Sequence, residues 1–212
     1  MPATTATGSL NIGLLGAGRI GRVHAQNLAY RLPQARLMAV ADVFASAAEQ
    51  VAAEYAIPAA YDDPRRVLDD PAIDAVVICT STDTHAALIE AAAQAGKHIF
   101  CEKPIALDLA AIDAALAMVE QASVKLQIGF NRRFDANFAR ARQAIFSGEI
   151  GQPHLLRITS RDPQPPPLGY IKVSGGIFLD MTIHDFDMAR FLMGREVEEV
   201  YATGGVLVDD AI

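Results

Sequence analysis

Residues 11–21 read NIGLLGAGRIG, an apolar run that ends in the glycine-rich turn Gly16–Gly21. The turn has the pattern G-x-G-x-x-G and stands where a strand would lead into a helix. The first glycine makes a tight turn, the second lets the backbone approach a pyrophosphate, and the third lets helix and strand pack closely. The helix N-terminus offers N–H groups and its positive dipole end to phosphate. The stretch therefore predicts a dinucleotide-binding turn, with cofactor contacts at Gly16, Gly18, Arg19, Ile20 and Gly21.

A second apolar run, residues 36–42 (RLMAVAD), ends in an acid, Asp42. It lies about 20 residues beyond the glycines, the spacing at which an acid accepts hydrogen bonds from the adenosine ribose. A 2′-phosphate would meet a like charge there, and neither Val43 nor Phe44 supplies a cation. We therefore predict NAD rather than NADP. A turn-forming role at the strand end is the alternative for Asp42.

The composition is that of a globular protein, with 51% hydrophobic and 20% charged residues and a net charge of −7 over 212 residues. The negative charge argues against nucleic acid or an anionic membrane surface as the main partner. The longest apolar runs have strand length, so no membrane span is expected. Residues 1–9 lack the features of a signal peptide and are expected to be a disordered tail. Cys79 and Cys101 are interpreted as buried free thiols in a reducing, cytoplasmic compartment.

Apolar runs alternate with helical stretches from residue 11 to about residue 121. The pattern predicts strands over 11–15, 37–41, 75–79, 98–101 and, as the last, 124–130. It predicts helices over 46–56 and 84–95, the latter closed by Gly96, and a third from Asp108 with a stripe of Leu109, Ile112, Leu116 and Val119. This alternation is typical of the α/β class, so residues 10–129 should form a doubly wound, Rossmann-type parallel sheet with helices on both faces.

The pattern changes after residue 130. It predicts a helix ending at Gly148, whose stripe is Phe134, Phe138, Ala141 and Ile145. It further predicts a strand over 155–160, a proline-rich loop over 162–167, a helix over 175–193 and a strand over 197–208. We therefore expect residues 130–212 to be an incomplete α+β domain with an open mixed sheet. An open sheet edge could pair with a second copy of the chain, giving a homo-oligomer.

Lys103 follows a predicted strand within the run Glu102-Lys103-Pro104. Ligands of a doubly wound sheet bind at the carboxyl ends of the strands, so Lys103 is expected at the cofactor cleft. Pro104 restricts the backbone of Lys103, and the bond between them can be cis or trans. The alternative is an ordinary solvated loop lysine.

A second cluster of chemistry-bearing residues lies within residues 175–187, GGIFLDMTIHDFD. On a helix, Asp180 and His184 are four residues apart and share a face, and Asp187 follows one turn later. A carboxylate one turn from an imidazole can orient it and tune its basicity. A purely local Asp–His pair is the alternative. Zinc is not favoured, because the cluster has one histidine and no cysteine, so we predict no metal site.

Together these motifs resemble the glucose–fructose oxidoreductase / inositol dehydrogenase / MocA family. The resemblance is carried by Gly16–Gly21, Asp42, Glu102 to Pro104, residues 129–134 (GFNRRF) and residues 175–187, and residues 160–192 are most similar to its inositol dehydrogenases. It implies NAD-dependent transfer of hydride from a secondary alcohol of myo-inositol or a similar cyclic polyol. Another sugar or polyol dehydrogenase of the same family is one alternative. A non-catalytic NAD-binding fragment or regulator is the other.

The resemblance also implies roles for individual residues. Lys103, Asp180 and His184 would be the catalytic set. His184 would be the general base, because an imidazole has an ordinary pKa of about 6.5. Lys103 would stabilise the developing alkoxide, and Asp180 would bind hydroxyl groups and hold the histidine.

Weaker expectations concern the loops around these residues. Further cofactor contacts are expected at Thr80, Ser81, His85, Glu102 and Lys103. Further substrate contacts, besides Asp180 and His184, are expected at Asn131, Arg132 and Asp162. The family commonly has proline and asparagine where this chain has Ser81 and Asp83, and this departure leaves the individual contacts of that loop open.

Overall fold

The computed structural model describes residues 9–206, apart from the side chains of residues 172 and 173. The chain folds as two compact units, Met1–Gly129 and Phe130–Ile212.

A six-stranded sheet forms the centre of the first unit. Its strands are β1 (Leu10–Leu15), β2 (Ala35–Ala41), β3 (Ala59–Tyr61), β4 (Ala75–Ile78), β5 (His98–Cys101) and β6 (Leu126–Ile128). Their order is β3-β2-β1-β4-β5-β6, and every pair of neighbours is parallel. The order reverses between β1 and β4, which confirms the predicted doubly wound parallel sheet.

Helices connect successive strands of this sheet. They are α1 (Arg19–Tyr30), α2 (Ala45–Tyr55), α3 (Arg65–Leu68), α4 (Thr82–Gln94) and α5 (Leu109–Ala122). Asp108 caps α5, its side chain accepting a hydrogen bond of 3.0 Å from the Ala111 N–H. Gly96 follows α4 with a φ of 71°, a conformation that costs a glycine little.

Both faces of the sheet are buried. Successive strand residues point to opposite faces, so Leu14 and Leu15, both fully buried, belong to different core clusters. Leu14 packs with Val40 and Val51, whereas Leu15 packs with Ile78 and Ile89. Burial on both faces explains why these strands read as continuous apolar runs.

The first unit departs from the sequence prediction in three places. β3 and α3 were not predicted, because three and four residues are too few to show a period. β6 is shorter than the predicted run over 124–130. The predicted stripe of α5 is partly wrong. Val119 is buried as predicted, but Leu109 and Leu116 are exposed and Ala115 is buried instead. A small residue at position 115 lets the helix lie close to its neighbours.

Helices are the regular elements of the second unit among the residues that the structure describes. A 3₁₀ turn (Asn131–Phe134) precedes α6 (Ala136–Phe146), and α7 (Leu168–Ser174), a π-helical segment (Phe178–Thr182) and α8 (Ile183–Met193) follow. Asp135 caps α6, accepting a hydrogen bond of 2.9 Å from the Asn137 N–H. The predicted long helix over 175–193 is thus present as a π-helical segment that continues into α8.

The two strands predicted in this unit are not strands in the structure. Residues 155–160, and residues 197–206 of the second prediction, have no strand conformation; residues 207 and 208 lie outside the described part. A strand exists through its pairing, and between residues 130 and 206 no segment provides a partner strand. The open mixed sheet is therefore absent from the described residues, and pairing with a second copy stays a prediction.

Both cysteines carry free thiols, Cys101 buried and Cys79 half-buried. Burial is the main cause that raises the pKa of each thiol, and the nearby charge of Glu102 adds to it. Within residues 9–206, no helix combines the length and the apolar character needed to cross a membrane.

Candidate functional site

The glycine turn after β1 shows three different environments for its glycines. Gly16 has a φ of +101°, and a Cβ there would lie 2.6 Å from the Cys79 carbonyl carbon. A Cβ at Gly21 would lie 2.0 Å from the Gly16 oxygen. A Cβ at Gly18, in contrast, would meet no atom within 4 Å. The outer glycines therefore allow close packing, and the middle one leaves space in front of the helix.

That space lies at the N-terminus of α1. Gly18 is the capping residue, no side chain caps the helix, and its first turn contains no acidic residue. The first N–H groups of a helix have no partner within the helix, and they lie at its positive end. An anionic group in front of Gly18 would meet these N–H groups without competition from a carboxylate of the first turn.

Asp42, directly after β2, is bound to the same turn. Its Oδ2 accepts a hydrogen bond of 2.7 Å from the Ala17 N–H, and its Oδ1 accepts one of 2.9 Å from the Phe44 N–H. The turn-forming role is therefore present. Each carboxylate oxygen has a second lone pair, so the same carboxylate can still accept hydrogen bonds from a ribose.

The loops after β4 and β5 lie on the same side of the sheet as the glycine turn, because the carboxyl ends of parallel strands all lie on one side. In the loop after β4, Thr80 Oγ1 lies 2.7 Å from Thr84 Oγ1, and the Thr84 hydroxyl donates to the Ser81 carbonyl at 2.8 Å. His85 is 2% exposed, with its Nδ1 2.8 Å from the Pro104 oxygen and its Nε2 3.1 Å from the Thr80 oxygen. Both ring nitrogens thus face carbonyl oxygens of the protein.

The loop after β5 carries Lys103, which is half-buried, and the peptide bond between Lys103 and Pro104 is cis. Directly before it, Glu102 Oε1 lies 2.7 Å from His24 Nε2 of α1. A carboxylate only accepts, so the ring N–H donates. Sequence reasoning missed this contact, because His24 and Glu102 are 78 residues apart and no local pattern marks the pair.

In the second unit, Asp180 lies in the π-helical segment and His184 lies in the first turn of α8. The Tyr170 hydroxyl donates to Asp180 Oδ1 at 2.8 Å. The His184 ring meets Phe130 edge to face, with ring centroids 6.4 Å apart. The four-residue spacing of Asp180 and His184 predicted an α-helix and not the π-helical hydrogen bonding found at Asp180. Short π-helical segments are frequent at functional sites.

Arginine–carboxylate pairs surround α8. Arg132 donates to Asp185, which also accepts a hydrogen bond of 2.7 Å from the Ser160 hydroxyl. Arg133 donates to both oxygens of the buried Asp187, at 2.8 Å to Oδ2. This hydrogen bond is the main cause that raises the pKa of Arg133.

The remaining predicted site residues of the second unit, Asn131 and Asp162, have exposed side chains. Asn131 begins the 3₁₀ turn, and Asp162 lies in the proline-rich loop. Within residues 9–206, no group of three or more metal-ligating side chains could hold a metal ion.

Two family models match the chain. Residues 10–130 match the oxidoreductase family with an NAD-binding Rossmann fold, the Gfo/Idh/MocA family. The chain belongs to this family. Residues 138–211 match the C-terminal domain of the same family.

Curated members of the family resemble the chain along nearly its whole length. It is 54% identical over 203 residues to a myo-inositol 2-dehydrogenase of Thermotoga maritima, covering 96% of this chain and 60% of that protein. It is 56% identical over 204 residues to an inositol 2-dehydrogenase of Rhizobium meliloti, covering 96% of this chain and 61% of that protein. The chain thus spans about three fifths of the length of these relatives.

Solved structures share the fold. A probable dehydrogenase from Thermotoga maritima superposes with a TM-score of 0.92 at 54% identity, over 95% of this chain and 60% of that one. The scyllo-inositol dehydrogenase of Lactobacillus casei, solved with NAD(H) and scyllo-inositol, superposes with a TM-score of 0.77 at 35% identity, over 89% of this chain and 57% of that one.

Proposed function

We propose that the protein is an NAD-dependent dehydrogenase that oxidises a secondary alcohol of myo-inositol or a similar cyclic polyol. The observation that carries this proposal is that the glycine turn, Asp42 and Lys103 follow the carboxyl ends of β1, β2 and β5 in the parallel sheet of the first unit. The identity to inositol 2-dehydrogenases supports the substrate class. A cytoplasmic location fits the two free thiols.

The glycine turn fits a dinucleotide. The open space at Gly18 and the uncapped N-terminus of α1 suit a pyrophosphate. Asp42 would bind the ribose, and Thr80, Ser81 and Glu102 would contribute further contacts from the adjacent loops. The bound NAD⁺ supplies the hydride acceptor. Residues 10–129 would therefore bind the cofactor, and residues 130–212 would carry part of the substrate site.

The chain's own residues have to bind the alcohol and remove its proton. His184 would accept the proton, because an imidazole changes charge near neutral pH. The Lys103 ammonium would donate a hydrogen bond to the reacting oxygen and stabilise its developing negative charge. Asp180, hydrogen-bonded by Tyr170, would bind substrate hydroxyls, together with Asn131, Arg132 and Asp162.

The test combines cofactor binding with turnover. Binding is measured by NADH fluorescence titration, and turnover is measured as NAD⁺ reduction with myo-inositol, scyllo-inositol, glucose or galactose. We expect binding together with turnover of an inositol. Turnover of an aldose alone would assign the chain another substrate within the family, and tight binding without any turnover would make it a binding module.

Lys103→Ala tests the assigned chemistry. Loss of a donor to the reacting oxygen should lower kcat by about 100-fold to 1000-fold, while NADH affinity changes little. Lys125→Ala is the matched control, because Lys125 is exposed and precedes β6, at the amino ends of the parallel strands, whereas Lys103 follows the carboxyl end of β5. Unchanged turnover of Lys103→Ala would refute the role given to Lys103.

A further inference from the structure

Two histidines from different helices contact the residues directly before and directly after Lys103. His24 of α1 holds the Glu102 carboxylate at 2.7 Å, and His85 of α4 lies 2.8 Å from the Pro104 oxygen. All five residues belong to the first unit. A segment of three residues is thus bound at both ends, and its middle residue is the lysine of the proposed chemistry.

The contact made by His85 lies in the interior. Pro104 is buried, so its carbonyl needs a donor. A neutral imidazole has one N–H, and both ring nitrogens of His85 face carbonyl oxygens. We assign the N–H to Nδ1, which makes the shorter contact, 2.8 Å to the Pro104 oxygen against 3.1 Å from Nε2 to the Thr80 oxygen. The ring therefore connects the loop after β4 to the loop after β5.

The contact made by His24 fixes a side chain. The His24 ring packs against Phe100 with ring centroids 5.1 Å apart. The Glu102 carboxylate also lies against Gly129, where a Cβ would be 3.0 Å from Oε2 and 3.2 Å from Oε1. The Glu102 N–H donates to the Ile78 oxygen at 3.0 Å. Glu102 is thus held through both its backbone and its carboxylate.

We propose that His24 and His85 are positioning residues, which hold Glu102 and Pro104 so that the Lys103 ammonium reaches the reacting oxygen. This rests on the catalytic role proposed above for Lys103. A lysine side chain is long and flexible, so its reach depends on how firmly its backbone is anchored. A displacement of about 1 Å at a reacting group can cost about 100-fold in rate.

The test uses one pair of variants at each histidine. His85→Asn keeps an N–H donor near the position of Nδ1, and His85→Phe removes it. His24→Gln keeps a donor near Nε2, and His24→Leu removes it. The control is His98→Asn. His98 is exposed at the amino end of β5, away from the Lys103 loop, and Asn keeps an acceptor for the hydrogen bond of 3.1 Å that His98 Nδ1 accepts from the Lys125 N–H.

The first measurement is hydrogen–deuterium exchange of the peptide around residues 99–107, which needs no turnover. We expect faster exchange in His85→Phe and His24→Leu, and exchange close to that of the unchanged protein in the two donor-keeping variants and in the control. Unchanged exchange in His24→Leu overturns the proposal even if His85→Phe fails to fold, because His24 is only half-buried.

The second measurement separates kcat from KM. We expect kcat to fall by about 10-fold to 100-fold in the variants without a donor and to be largely restored by Asn and Gln. KM for NAD⁺ should rise by a clearly smaller factor, although Glu102 is itself a proposed cofactor contact. Faster exchange with unchanged kcat would overturn the positioning role. Equal losses of kcat and cofactor affinity would also overturn it.

Lys103→Ala is measured in parallel, so that the two proposals fail separately. If that variant turns over normally, the proposed chemistry is wrong, whatever the histidine variants show. If it is inactive while His24→Leu and His85→Phe keep full kcat, the chemistry stands and the positioning role is wrong. If the unchanged chain shows no turnover, the proposed function fails and exchange alone decides whether the segment is held.

Discussion

The two units hold their candidate residues in different ways. In the first unit, a sheet buried on both faces places the site loops. Close backbone packing positions them, since the Ala17 N–H donates to the Asp42 carboxylate and the Gly16 oxygen leaves no room for a Cβ at Gly21. In the second unit, the buried hydrophobic residues among those described are Ala144, Met188 and Leu192. There, charged side chains provide much of the packing around α8.

Arg142 illustrates the second mode. Its guanidinium lies 4.1 Å from the centroid of the Phe146 ring and 4.4 Å from that of Phe191, and it donates to the Phe191 carbonyl. Guanidinium groups stack on aromatic faces and bind oxygens in their own plane. We therefore expect the stability of the first unit to fall more when a substitution changes side-chain shape than when it changes charge. For the packing around α8 we expect the reverse.

The largest effect should come from a change of shape in the first unit. Gly21→Ala places a methyl group 2.0 Å from the Gly16 oxygen, and we expect it to lower the free energy of unfolding by about 3 kcal/mol. Gly18→Ala meets no atom within 4 Å, so its stability should be preserved. It should instead weaken NADH binding about tenfold or more, because the methyl group enters the pyrophosphate space.

Urea unfolding and NADH fluorescence titration separate these two outcomes. If Gly18→Ala binds NADH as the unchanged chain does, the space in front of α1 is not the phosphate site. If Gly21→Ala is as stable as the unchanged chain, the close approach of the Gly16 oxygen does not require a glycine at position 21.

An intermediate effect is expected from a change of charge in the second unit. Asp187 is 7% exposed and accepts hydrogen bonds from Nε and Nη2 of Arg133. Asp187→Asn keeps the shape but removes the charge, and it should cost about 1–3 kcal/mol of unfolding free energy. Urea unfolding measures the loss. The control is Glu120→Gln, an isosteric change at an exposed position of α5, which should leave the free energy of unfolding unchanged. If Asp187→Asn also leaves it unchanged, the charge of Asp187 does not stabilise the packing around α8.

The smallest effect concerns two exposed ion pairs of the second unit. Arginine hydrogen bonds lower the pKa of Glu149, bound by Arg140, and that of Glu196, bound by Arg190. Each folded-state pKa lies below the unfolded one, so each pair stabilises the fold above the unfolded pKa of about 4.3. That stabilisation is lost as the pH falls through the folded-state pKa.

The double variant Glu149→Gln/Glu196→Gln should therefore lose less stability than the unchanged chain when the pH falls from 5 to about 3. The difference should be small, because exposed pairs contribute little. The measurement is the melting temperature across this range. Parallel curves for both proteins would show that these pairs do not stabilise the unit.

Part of this organisation was predictable from local patterns. The strands β1, β2, β4 and β5 were predicted because apolar runs of strand length are a local signal. β3 was not, because it exists through its pairing with β2. The exposed Leu116 of α5 shows the same limit, since helical spacing does not say which apolar residue faces the core.

The candidate site divides in the same way. The amino-acid sequence alone determined the glycine turn, its acid at Asp42, the lysine after β5 and the Asp180/His184 spacing, because each depends on residues close along the chain. The tertiary structure alone decided the contacts of His24 with Glu102 and of Arg133 with Asp187, whose partners are 78 and 54 residues apart. Such contacts form when separate elements pack together, and packing depends on the shape and burial of whole surfaces, which a local pattern does not record.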